Sequence, residues 1–539
     1  MQDVPLMISS LLDYAATNHP DREIVSRMPD GSIHRYGYAD AHDRAKRLAK
    51  ALLGCGIRPG DRIATLATNS FRHFECFYGV SGIGAVLHTV NPRLFETQID
   101  YIVTHAEDRV LFVDLPYMEL AERIAPKLAC VERWVVMCDR PGLPATSLPG
   151  AVSYEDFLHE DSDGFDWPEF DERSASSLCY TSGTTGHPKG VLYSHRSTLL
   201  HAMHAAQPSV LGISPAESLL VIAPMYHANA WSTPYLAPMT GAKLILPGID
   251  MSARNLHELL TQEKATFACA VPTVWTTLLQ YVEENGFDLG GLTRAAIAGV
   301  AVPPAMIQHL LTRYGVSVLQ FWGMTEMSPI ATISTPIPAI AHLAETERLD
   351  ILCKQGRIAY GVKLKIVNQN EERQPRDGKS FGDIRGKGPW IADGYFKGEG
   401  GNALDEEGWL PTGDVGFMDP YGYLKLTDRT KDVIKSGGEW VSSIDLENAA
   451  ISHPAVQEAA VVGVFHPKWD ERPLLILTLR PQARLSKDEI LDHLRARVAK
   501  WWLPDDVVVV DKLPYTATGK IRKADLRHEY RYYLHPQTP

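Results

Sequence analysis

Hydroxyl side chains, glycines and one lysine are concentrated in one segment, Tyr180-Thr181-Ser182-Gly183-Thr184-Thr185-Gly186-His187-Pro188-Lys189-Gly190. Glycine allows backbone N–H groups to turn toward an anion, and the hydroxyls and the lysine add donors and positive charge. The spacing is not that of a Walker A loop, because Pro188 and Gly190 flank the lysine and disfavour an immediate helix. The segment predicts a phosphate-binding loop between two strands, residues 177–180 and 191–193. A flexible surface turn is the alternative.

Two further polar segments directly follow apolar, strand-like runs. Phe321-Trp322-Gly323-Met324-Thr325-Glu326 follows residues 317–321, and Pro224-Met225-Tyr226-His227 follows residues 219–222. Ligands of α/β proteins bind at the carboxyl ends of strands, so both segments are expected at such an edge. The first offers a flat ring for a base, a hydroxyl for a phosphate and a hard carboxylate oxygen for Mg²⁺. Taken alone, such a tryptophan is more often a core residue and a lone histidine is usually structural.

A carboxylate and a guanidinium occur in two later segments, Leu410-Pro411-Thr412-Gly413-Asp414 and Asp428-Arg429. A carboxylate can accept hydrogen bonds from both hydroxyls of a ribose, and an arginine can reinforce that contact. Taken singly, the aspartate would be a turn residue and the arginine half of a solvated pair. In sequence with the other segments, they predict ribose binding.

In this order, and over nearly the whole chain, these segments resemble the motifs of AMP-forming acyl- and aryl-CoA synthetases. That acyl-adenylate-forming superfamily also contains firefly luciferase and the adenylation domains of peptide synthetases. The resemblance implies an acid–thiol ligase that uses ATP, Mg²⁺ and coenzyme A. A carboxylic acid and ATP would give acyl-AMP and pyrophosphate, and CoA would then give acyl-CoA and AMP. Because two anions meet in the first step, cations and oriented dipoles must stabilise the growing negative charge.

The resemblance also implies individual roles. The implied nucleotide-binding residues are Thr181, Ser182, Gly183, Thr184, Thr185, Gly186, Lys189, Gly299, Val300, Ala301, Trp322, Gly323, Met324, Thr325, Asp414 and Arg429. The implied metal ligands are Thr181 and Glu326, and the implied catalytic residues are Lys520, Glu326, His227 and Thr325. His227 would orient the substrate carboxylate rather than accept a proton, since carboxylates are already ionised near neutral pH. The family usually has Tyr in place of Trp322, so stacking would be kept and a phenol hydrogen bond lost.

The C-terminal part carries a second set of implied residues. Lys520, in Leu513-Pro514-Tyr515-Thr516-Ala517-Thr518-Gly519-Lys520, would bridge the substrate carboxylate and the α-phosphate, which suits an ammonium on a long stem. Lys523 is close by, but the Thr-Gly-Lys context favours Lys520. The implied CoA-binding residues, on the pantetheine tunnel, are Lys435, Gly437, Gly438, Glu439 and Trp440. Lys431 is the implied hinge, about which a rotating small domain would exchange Lys520 for residues 437–440.

The identity of the acid rests on fewer residues. The implied acyl pocket contains His227, Trp231 and Val300. The family often has Gly or Ala in place of Val300, and Trp231 would fill further volume, which favours a short or medium unbranched acid. Ordinary packing of Trp231 against the sheet is an equally good interpretation. Over its sequence as a whole, the chain resembles medium-chain fatty-acyl and 3-methylmercaptopropionate CoA ligases. This resemblance implies a role in fatty acid metabolism.

Helical and strand-like stretches that alternate along the chain would position these residues. The apolar spacing predicts helices over residues 38–53 and 71–86 and strands over residues 62–66, 243–246, 267–271 and 295–298. This alternation is typical of βαβ units and predicts an α/β fold with mostly parallel sheets and flanking helices. Residues 368–379 are polar and predict a hairpin or loop. A charged break at residues 428–432 separates a large N-terminal domain, residues 1–430, from a small mobile α+β domain, residues 431–539.

Composition sets the remaining expectations. A formal net charge of −12 over 539 residues argues against nucleic acid as a partner. The sequence contains no run of eighteen apolar residues, so no membrane span is expected. The first residues lack a signal-peptide pattern. Seven scattered cysteines without a CxxC pair favour a reducing compartment, so a cytoplasmic enzyme is expected. The resemblance adds a homodimer, which is common among relatives.

The acceptor and the activity leave alternatives open. No carrier domain follows Lys520 in this sequence, which favours free CoA over a separate carrier protein loaded by a stand-alone adenylation enzyme. Luciferase-like oxidation is an alternative because the fold is shared and function depends on the site. A non-catalytic nucleotide or acyl-adenylate binder is a third alternative. The presence of all three implied catalytic residues, Glu326, Lys520 and His227, argues against such a binder, which would not need them together.

Overall fold

The strands of this protein form three sheets. The computed structural model describes residues 1–181, 187–436, 439–515 and 521–535, and for residues 439 and 440 it describes the backbone only. Within these ranges the sheets contain seven, thirteen and five strands. The short 3₁₀ turns are Ser81–Ile83, Leu115–Tyr117, Ala125–Lys127, Thr325–Met327, Pro338–Ile340, Phe396–Gly398 and Lys500–Trp502.

The first sheet is built from the N-terminal third of the chain. The elements in this part are α1 (Ser9–Asn18), β1 (Glu23–Arg27), β2 (Ile33–Gly37), α2 (Tyr38–Gly54), β3 (Arg62–Leu66), α3 (Phe71–Gly79), β4 (Val86–Thr89), α4 (Glu96–Ala106), β5 (Val110–Val113), α5 (Met118–Ile124), β6 (Arg133–Val136), β7 (Val152–Ser153), α6 (Tyr154–Phe157), β8 (Ala175–Tyr180) and β9 (Gly190–Ser194). The strand order is β7-β6-β5-β3-β4-β8-β9, and all neighbours are parallel except β8 and β9.

The second sheet begins with parallel strands from the middle of the chain. Its elements are α7 (His195–Ala205), β10 (Ser218–Val221), α8 (Ala228–Trp231), α9 (Thr233–Thr240), β11 (Lys243–Leu246), α10 (Ala253–Gln262), β12 (Phe267–Ala270), α11 (Pro272–Glu284), β13 (Arg294–Ile297), α12 (Pro304–Tyr314), β14 (Ser317–Trp322) and β15 (Thr332–Ile333). The parallel run is β14-β13-β12-β10-β11-β1, and β2 closes that edge antiparallel to β1. Strands β10 and β12 are buried at every residue, as is typical of parallel strands covered on both faces.

The remaining elements extend the second sheet and form the third. They are α13 (Glu345–Leu352), β16 (Gly356–Ile358), β17 (Lys363–Val367), β18 (Gly382–Lys387), β19 (Leu410–Met418), β20 (Tyr423–Arg429), β21 (Ile434–Ser436), β22 (Glu439–Val441), α14 (Ser443–Ile451), β23 (Val456–His466), β24 (Asp470–Leu479), α15 (Lys487–Arg495), β25 (Asp506–Val509) and α16 (Lys523–Tyr530). Strands β15 to β20 continue the second sheet as antiparallel neighbours. The third sheet has the order β22-β21-β24-β23, with β25 parallel to β24.

The predicted α/β class, with a large N-terminal part and a smaller C-terminal part, is confirmed. The predicted strands lie within one residue of β3, β11, β12 and β13, and the loop between β17 and β18 contains the predicted polar connection at residues 368–379. Within the described ranges, no helix is long and apolar enough to cross a membrane.

One predicted helix is too long. The spacing predicted a helix over residues 71–86, but α3 ends at Gly79 and β4 begins at Val86. A Cβ atom at Gly79 would lie 2.7 Å from a side-chain atom of Leu48, so this glycine permits close packing of α3 on α2. Gly84 then takes a left-handed φ of 78°, which ends the helical conformation. The antiparallel pairing of β15 to β20 in the second sheet was not anticipated either, although a strand was predicted at residues 422–426, within β20 apart from its first residue.

Candidate active site

The parallel strands of the second sheet bring three of the predicted segments to one edge. Strands β10, β12, β13 and β14 are parallel neighbours, so their carboxyl ends lie side by side. Residues 222–227 follow β10, residues 298–301 follow β13 and residues 323–326 follow β14. His227, the strand end at Gly299 and the pair Thr325-Glu326 therefore lie along one edge of the sheet, where ligands of such sheets bind.

Buried side chains from the first sheet's side fasten these strand ends. Asn69 donates to the carbonyls of Val221 (2.7 Å) and Ala223 (2.9 Å) and accepts from the backbone N–H of Met225 (2.8 Å). The Tyr193 hydroxyl donates to the Thr325 carbonyl over 2.7 Å. These bonds hold the segments of His227 and Thr325 against β9 and against the connection between β3 and α3.

Asp414 joins two other predicted nucleotide-binding residues. Its Oδ2 accepts from the indole N–H of Trp322 over 2.8 Å, and its Oδ1 lies 2.8 Å from Nε of Arg429. The carboxylate and the indole are buried, whereas the guanidinium is half exposed. At position 322, where the sequence resemblance implies a phenol, an indole thus donates to the carboxylate that is predicted to bind ribose. With 6% of Trp322 exposed, adenine stacking on its ring stays a prediction.

Position 323, in the Trp-Gly-Met-Thr-Glu segment, requires a glycine for a steric reason. A Cβ atom at Gly323 would lie 1.5 Å from the carbonyl oxygen of Pro329, because the chain folds back there. The N–H of Ala331 donates to the Trp322 carbonyl over 3.0 Å, which closes this turn. Thr325 and Glu326 lie on the 3₁₀ turn between, and both are buried.

Glu326 and Lys189 are connected through Tyr395, which the sequence did not predict. The Tyr395 hydroxyl donates to Oε1 of Glu326 over 2.7 Å, and Nζ of Lys189 lies 4.8 Å from the centre of the same ring. Burial and the neighbouring Glu326 carboxylate both raise the pKa of the Tyr395 phenol, so it is protonated and able to donate. The ring therefore connects the phosphate-loop lysine with the proposed metal carboxylate.

Strands β8 and β9 bring the two ends of the phosphate-binding segment together. They pair in register up to Tyr180 and Gly190, and the N–H of Thr181 donates to the Lys189 carbonyl over 2.9 Å. The strand after the loop, where a Walker A motif would have a helix, agrees with the predicted connection. Ser182, Gly183, Thr184, Thr185 and Gly186 lie outside the described residues.

The residues present fit a magnesium ion held mainly by its nucleotide. Among the residues that the structure describes, no three His, Cys, Asp or Glu side chains converge as a metal site. Glu326 contributes one buried, oriented carboxylate, and Mg²⁺ is usually bound by one or two carboxylates together with substrate phosphates and water. Glu326 is thus suitable as a protein ligand of the ion, and the role of Thr181 stays a prediction.

The predicted acyl residues differ in their surroundings. Trp231 is buried edge-on against Phe321, with ring centres 4.8 Å apart, whereas Val300 is 46% exposed. Val300 follows β13, and Phe321, the residue that Trp231 contacts, lies on the neighbouring strand β14. One side chain is buried and the other exposed, and their shared role in a pocket stays a prediction.

A left-handed turn holds Trp231. Residues 228–232 have positive φ between 43° and 68°, a conformation that costs about 1–2 kcal/mol per residue. Asn229 in this turn donates to Ser177 over 2.9 Å, and Ser232 lies 2.7 Å from Nδ1 of His201. Strain that persists among buried hydrogen bonds is typical of functional sites.

His201 also fastens the segment after Glu326. Its Nε2 accepts from the N–H of Ile330 over 3.2 Å, so Nδ1 carries the proton and donates to Ser232. Burial lowers the pKa of His201 to about 3, which keeps the ring neutral and Nε2 free to accept. One imidazole thus connects the Trp231 turn with the chain that follows Thr325 and Glu326.

The C-terminal predictions are only partly described. Gly437, Gly438 and Lys520 lie outside the described residues, as do the side chains of Glu439 and Trp440. Lys435 is an exposed residue of β21, and Lys431 lies in the turn after β20. Nζ of Lys523 lies 2.6 Å from the Glu447 carboxylate and donates to Ser443 over 2.5 Å. Lys523 is therefore held by contacts within the C-terminal part, and the role of Lys520 stays a prediction.

Comparison with known proteins decides the family. Residues 12–396 match the family described as AMP-binding enzyme, and residues 445–520 match the AMP-binding enzyme C-terminal domain. The chain belongs to this family. It is 46% identical to the 3-methylmercaptopropionyl-CoA ligase of Ruegeria pomeroyi, over 98% of each chain. It is 45% identical to the medium-chain-fatty-acid–CoA ligase of Ectopseudomonas oleovorans, over 97% of this chain and 96% of the relative.

Solved structures agree with the fold of this AMP-binding enzyme. The crystal structure of the anthranilate CoA ligase AuaEII in complex with anthranoyl-AMP superimposes with a TM-score of 0.85 at 26% identity, over 99% of this chain and all of the other. The resemblance inferred from the motifs is thus confirmed at the level of family and fold.

Sequence reasoning missed the residues that position the site. Asn69, Tyr193, His201 and Tyr395 lie far along the chain from the residues they hold. None of them belongs to a spaced motif. Only the alternation on β9, which turns Tyr193 inward, was a local signal.

Trp322→Phe should separate the nucleotide role of the indole from its packing role in this AMP-binding enzyme. The change keeps a ring but removes the donor to Oδ2 of Asp414. Hydrogen bonds to charged groups contribute about 1.5–3 kcal/mol, so we expect the KM for ATP to rise about tenfold with little change in kcat. Steady-state kinetics and thermal unfolding of the variant and of Trp501→Phe, an exposed control, test this. A lower Tm with an unchanged KM would contradict the nucleotide role.

Proposed function

We propose that this AMP-binding enzyme is an ATP-dependent acid–CoA ligase that forms acyl-AMP and pyrophosphate, and then acyl-CoA and AMP. The contact of Lys189 and Glu326 through Tyr395 carries the proposal, because it places a cation and a carboxylate from two sheets at one strand edge. The relatives' names support CoA as the acceptor: both are CoA ligases that match this chain over nearly its full length. A stand-alone adenylation enzyme or a non-catalytic binder is not favoured.

The residues of the site would act by position and charge. Asp414 and Arg429 bind the ribose, and Lys189 and the hydroxyl of Thr325 contact phosphate oxygens. Glu326 and Thr181 would hold Mg²⁺, which would supply positive charge to the phosphate oxygens of ATP. His227 orients the carboxylate that attacks the α-phosphorus, and no general base is needed because that carboxylate is already ionised. Lys520 stabilises the charge that develops between the two anions.

The small domain would then rotate about Lys431, with the domain boundary after residue 430. Strand β20 ends at Arg429 in the second sheet and β21 begins at Ile434 in the third, which supports a boundary between them. Residues 437–440, with Lys435, would replace Lys520 and line the path of CoA. Two half-reactions would thereby share one pocket.

The acid is proposed to be short or medium in length, with 3-methylmercaptopropionate as a candidate. The two relatives are named for 3-methylmercaptopropionate and for medium-chain fatty acids, at nearly equal identity. The buried Trp231 fits an apolar acid of modest bulk, because its indole fills volume beside Phe321, in the segment that follows His227. A thioether acid needs no charged partner in such a pocket.

A homodimer in the cytoplasm completes the proposal. All seven cysteines are free, which supports a reducing compartment. Sedimentation of the purified protein would give the assembly, and a monomer at micromolar concentration would contradict the dimer.

Pyrophosphate release tests the ligase. With MgATP and acids from acetate to dodecanoate, including methylthiopropionate and benzoate, we expect release that is sustained only with CoA and peaks on one short or medium acid. Omission of CoA is the control, because the first half-reaction alone gives at most one pyrophosphate per enzyme. If no acid gave pyrophosphate release although ATP still bound, the proposal would be contradicted.

Lys520→Ala should separate the two half-reactions. Loss of a group that stabilises transition-state charge lowers the rate by about 10²–10³-fold, and we expect at least this loss in adenylation. Thioester formation from supplied acyl-AMP should stay within a few fold. Lys512→Ala, at an exposed lysine of the same segment, is the matched control, since Lys523 holds Glu447. Equal loss in both half-reactions would contradict the rotation.

Trp231→Ala should shift the preference toward longer acids. One methylene in an apolar pocket changes specificity by about 10-fold or more, so the ratio of kcat/KM for octanoate over butyrate should rise at least tenfold. Trp275→Ala is the control, because Trp275 is also buried but packs in a different cluster. An unchanged chain-length profile, with both variants destabilised alike, would remove Trp231 from the pocket.

A further inference from the structure

Tyr395 contacts two residues that come from different sheets and carry opposite charges. Its hydroxyl donates to Oε1 of Glu326 over 2.7 Å, and the Nζ of Lys189 lies 4.8 Å from its ring centre. The first contact uses only the hydroxyl and the second uses only the ring face. One side chain therefore sets the direction of a carboxylate and the place of an ammonium independently.

Gly400 forms the other side of the space that Lys189 occupies. A Cβ atom at Gly400 would lie 2.4 Å from Nζ of Lys189, and the glycine has a left-handed φ of 75°. The ammonium thus lies between the Tyr395 ring and the backbone of Gly400. A side chain at position 400 would displace the ammonium rather than a rigid part of the fold.

The segment that carries Tyr395 and Gly400 is fixed at several points. The N–H of Ala392 donates to the Glu326 carbonyl over 2.8 Å, so the segment follows the backbone of the Thr-Glu motif. Nζ of Lys397 lies 2.6 Å from the Glu107 carboxylate beside α4, and Tyr101 of α4 donates to Glu399. These contacts hold Tyr395 in place from both sides, so its ring is not a freely rotating surface group.

We propose that Tyr395 is a positioning residue of the adenylation site, which aims the Glu326 carboxylate at the metal of MgATP and holds Lys189 extended for the phosphates. This inference rests on the proposed function. Carboxylates that bind metals are themselves usually oriented by hydrogen bonds, and loss of such a partner costs about 10–100-fold in metal affinity. A cation held over a ring face keeps its place without forming an ion pair that phosphate would have to break.

Two substitutions at Tyr395 separate the contacts. Tyr395→Phe keeps the ring and removes the hydroxyl, whereas Tyr395→Leu removes both. Tyr360→Phe, at a side chain that is 91% exposed, is the control. Binding of Mn²⁺ in the presence of α,β-methylene ATP, followed by electron paramagnetic resonance, reports the carboxylate without turnover. The KM for ATP in pyrophosphate exchange at saturating Mg²⁺ reports the lysine, and thermal unfolding reports the fold.

For Tyr395→Phe we expect about tenfold weaker Mn²⁺ binding, an ATP KM within twofold of the unchanged protein and a similar Tm. Tyr395→Leu should weaken Mn²⁺ binding equally and also raise the ATP KM about tenfold. Gly400→Ala should raise the ATP KM without weakening Mn²⁺ binding, because its Cβ displaces the ammonium, and its left-handed φ should also lower the Tm.

Unchanged Mn²⁺ affinity in Tyr395→Phe would overturn the positioning role, whatever the Tm. Equal ATP KM values for Tyr395→Phe and Tyr395→Leu would overturn the part that concerns Lys189. The Mn²⁺ measurement needs no acid and no CoA, so it is independent of the ligase assay. Weaker Mn²⁺ binding in Tyr395→Phe, in a protein that releases no pyrophosphate with any acid, would support the inference while the proposed function failed.

Discussion

The structure depends on how the open ends of the parallel strands are held. At the carboxyl end of β10 and of β14 the backbone leaves the sheet, and its N–H and C=O groups lose their ladder partners. A binding site needs this edge open to ligand, so the sheet itself cannot supply new partners. Asn69 and Tyr193, from the side of the first sheet, supply them instead. The two sheets are therefore joined where the site is built, and each motif is placed by a residue outside it.

The buried carboxylates of the candidate site are likewise held by side chains from other segments of the chain. In a chain with a net charge of −12, the carboxylates Asp414 and Glu326 are buried, and each accepts a hydrogen bond from an aromatic side chain, Trp322 and Tyr395. A neutral donor orients a carboxylate without cancelling its charge, so it stays able to bind a ribose or a metal. The cations Arg429 and Lys189 are more exposed than these carboxylates. The two carboxylates are thus oriented by neutral aromatic donors, and Asp414 is in addition paired with the half-exposed Arg429.

The sequence predicted what depends on local pattern. The buried strands β3, β11, β12 and β13 were predicted correctly because parallel strands appear in the sequence as short apolar runs. Lys189 and Asp414 could be proposed as site residues because their motifs are contiguous. The helix at residues 71–86 was overextended because packing of Gly79 on Leu48 is not visible in apolar spacing. Tyr395 was missed because its partners lie about 70 and 200 positions away in the sequence, and hydrogen bonds at such separations leave no local pattern.

The contacts between the second sheet and the C-terminal part are of a kind that a rotation can exchange. Lys425 and Asp445 form an ion pair of 2.8 Å in which both side chains are about a quarter exposed. Ser442 donates to the Thr427 carbonyl, and the N–H of Ser443 donates to Asp428 over 3.0 Å. A partly exposed ion pair contributes at most about 1 kcal/mol, whereas the bond from Ser443 to Asp428 is buried and goes to a charged group, which contributes about 1.5–3 kcal/mol. The largely buried pair of Lys523 and Glu447 lies within the C-terminal part. The proposed rotation would therefore have to exchange one buried charged hydrogen bond and one exposed ion pair at the boundary, while the pair of Lys523 and Glu447 would move with the C-terminal part.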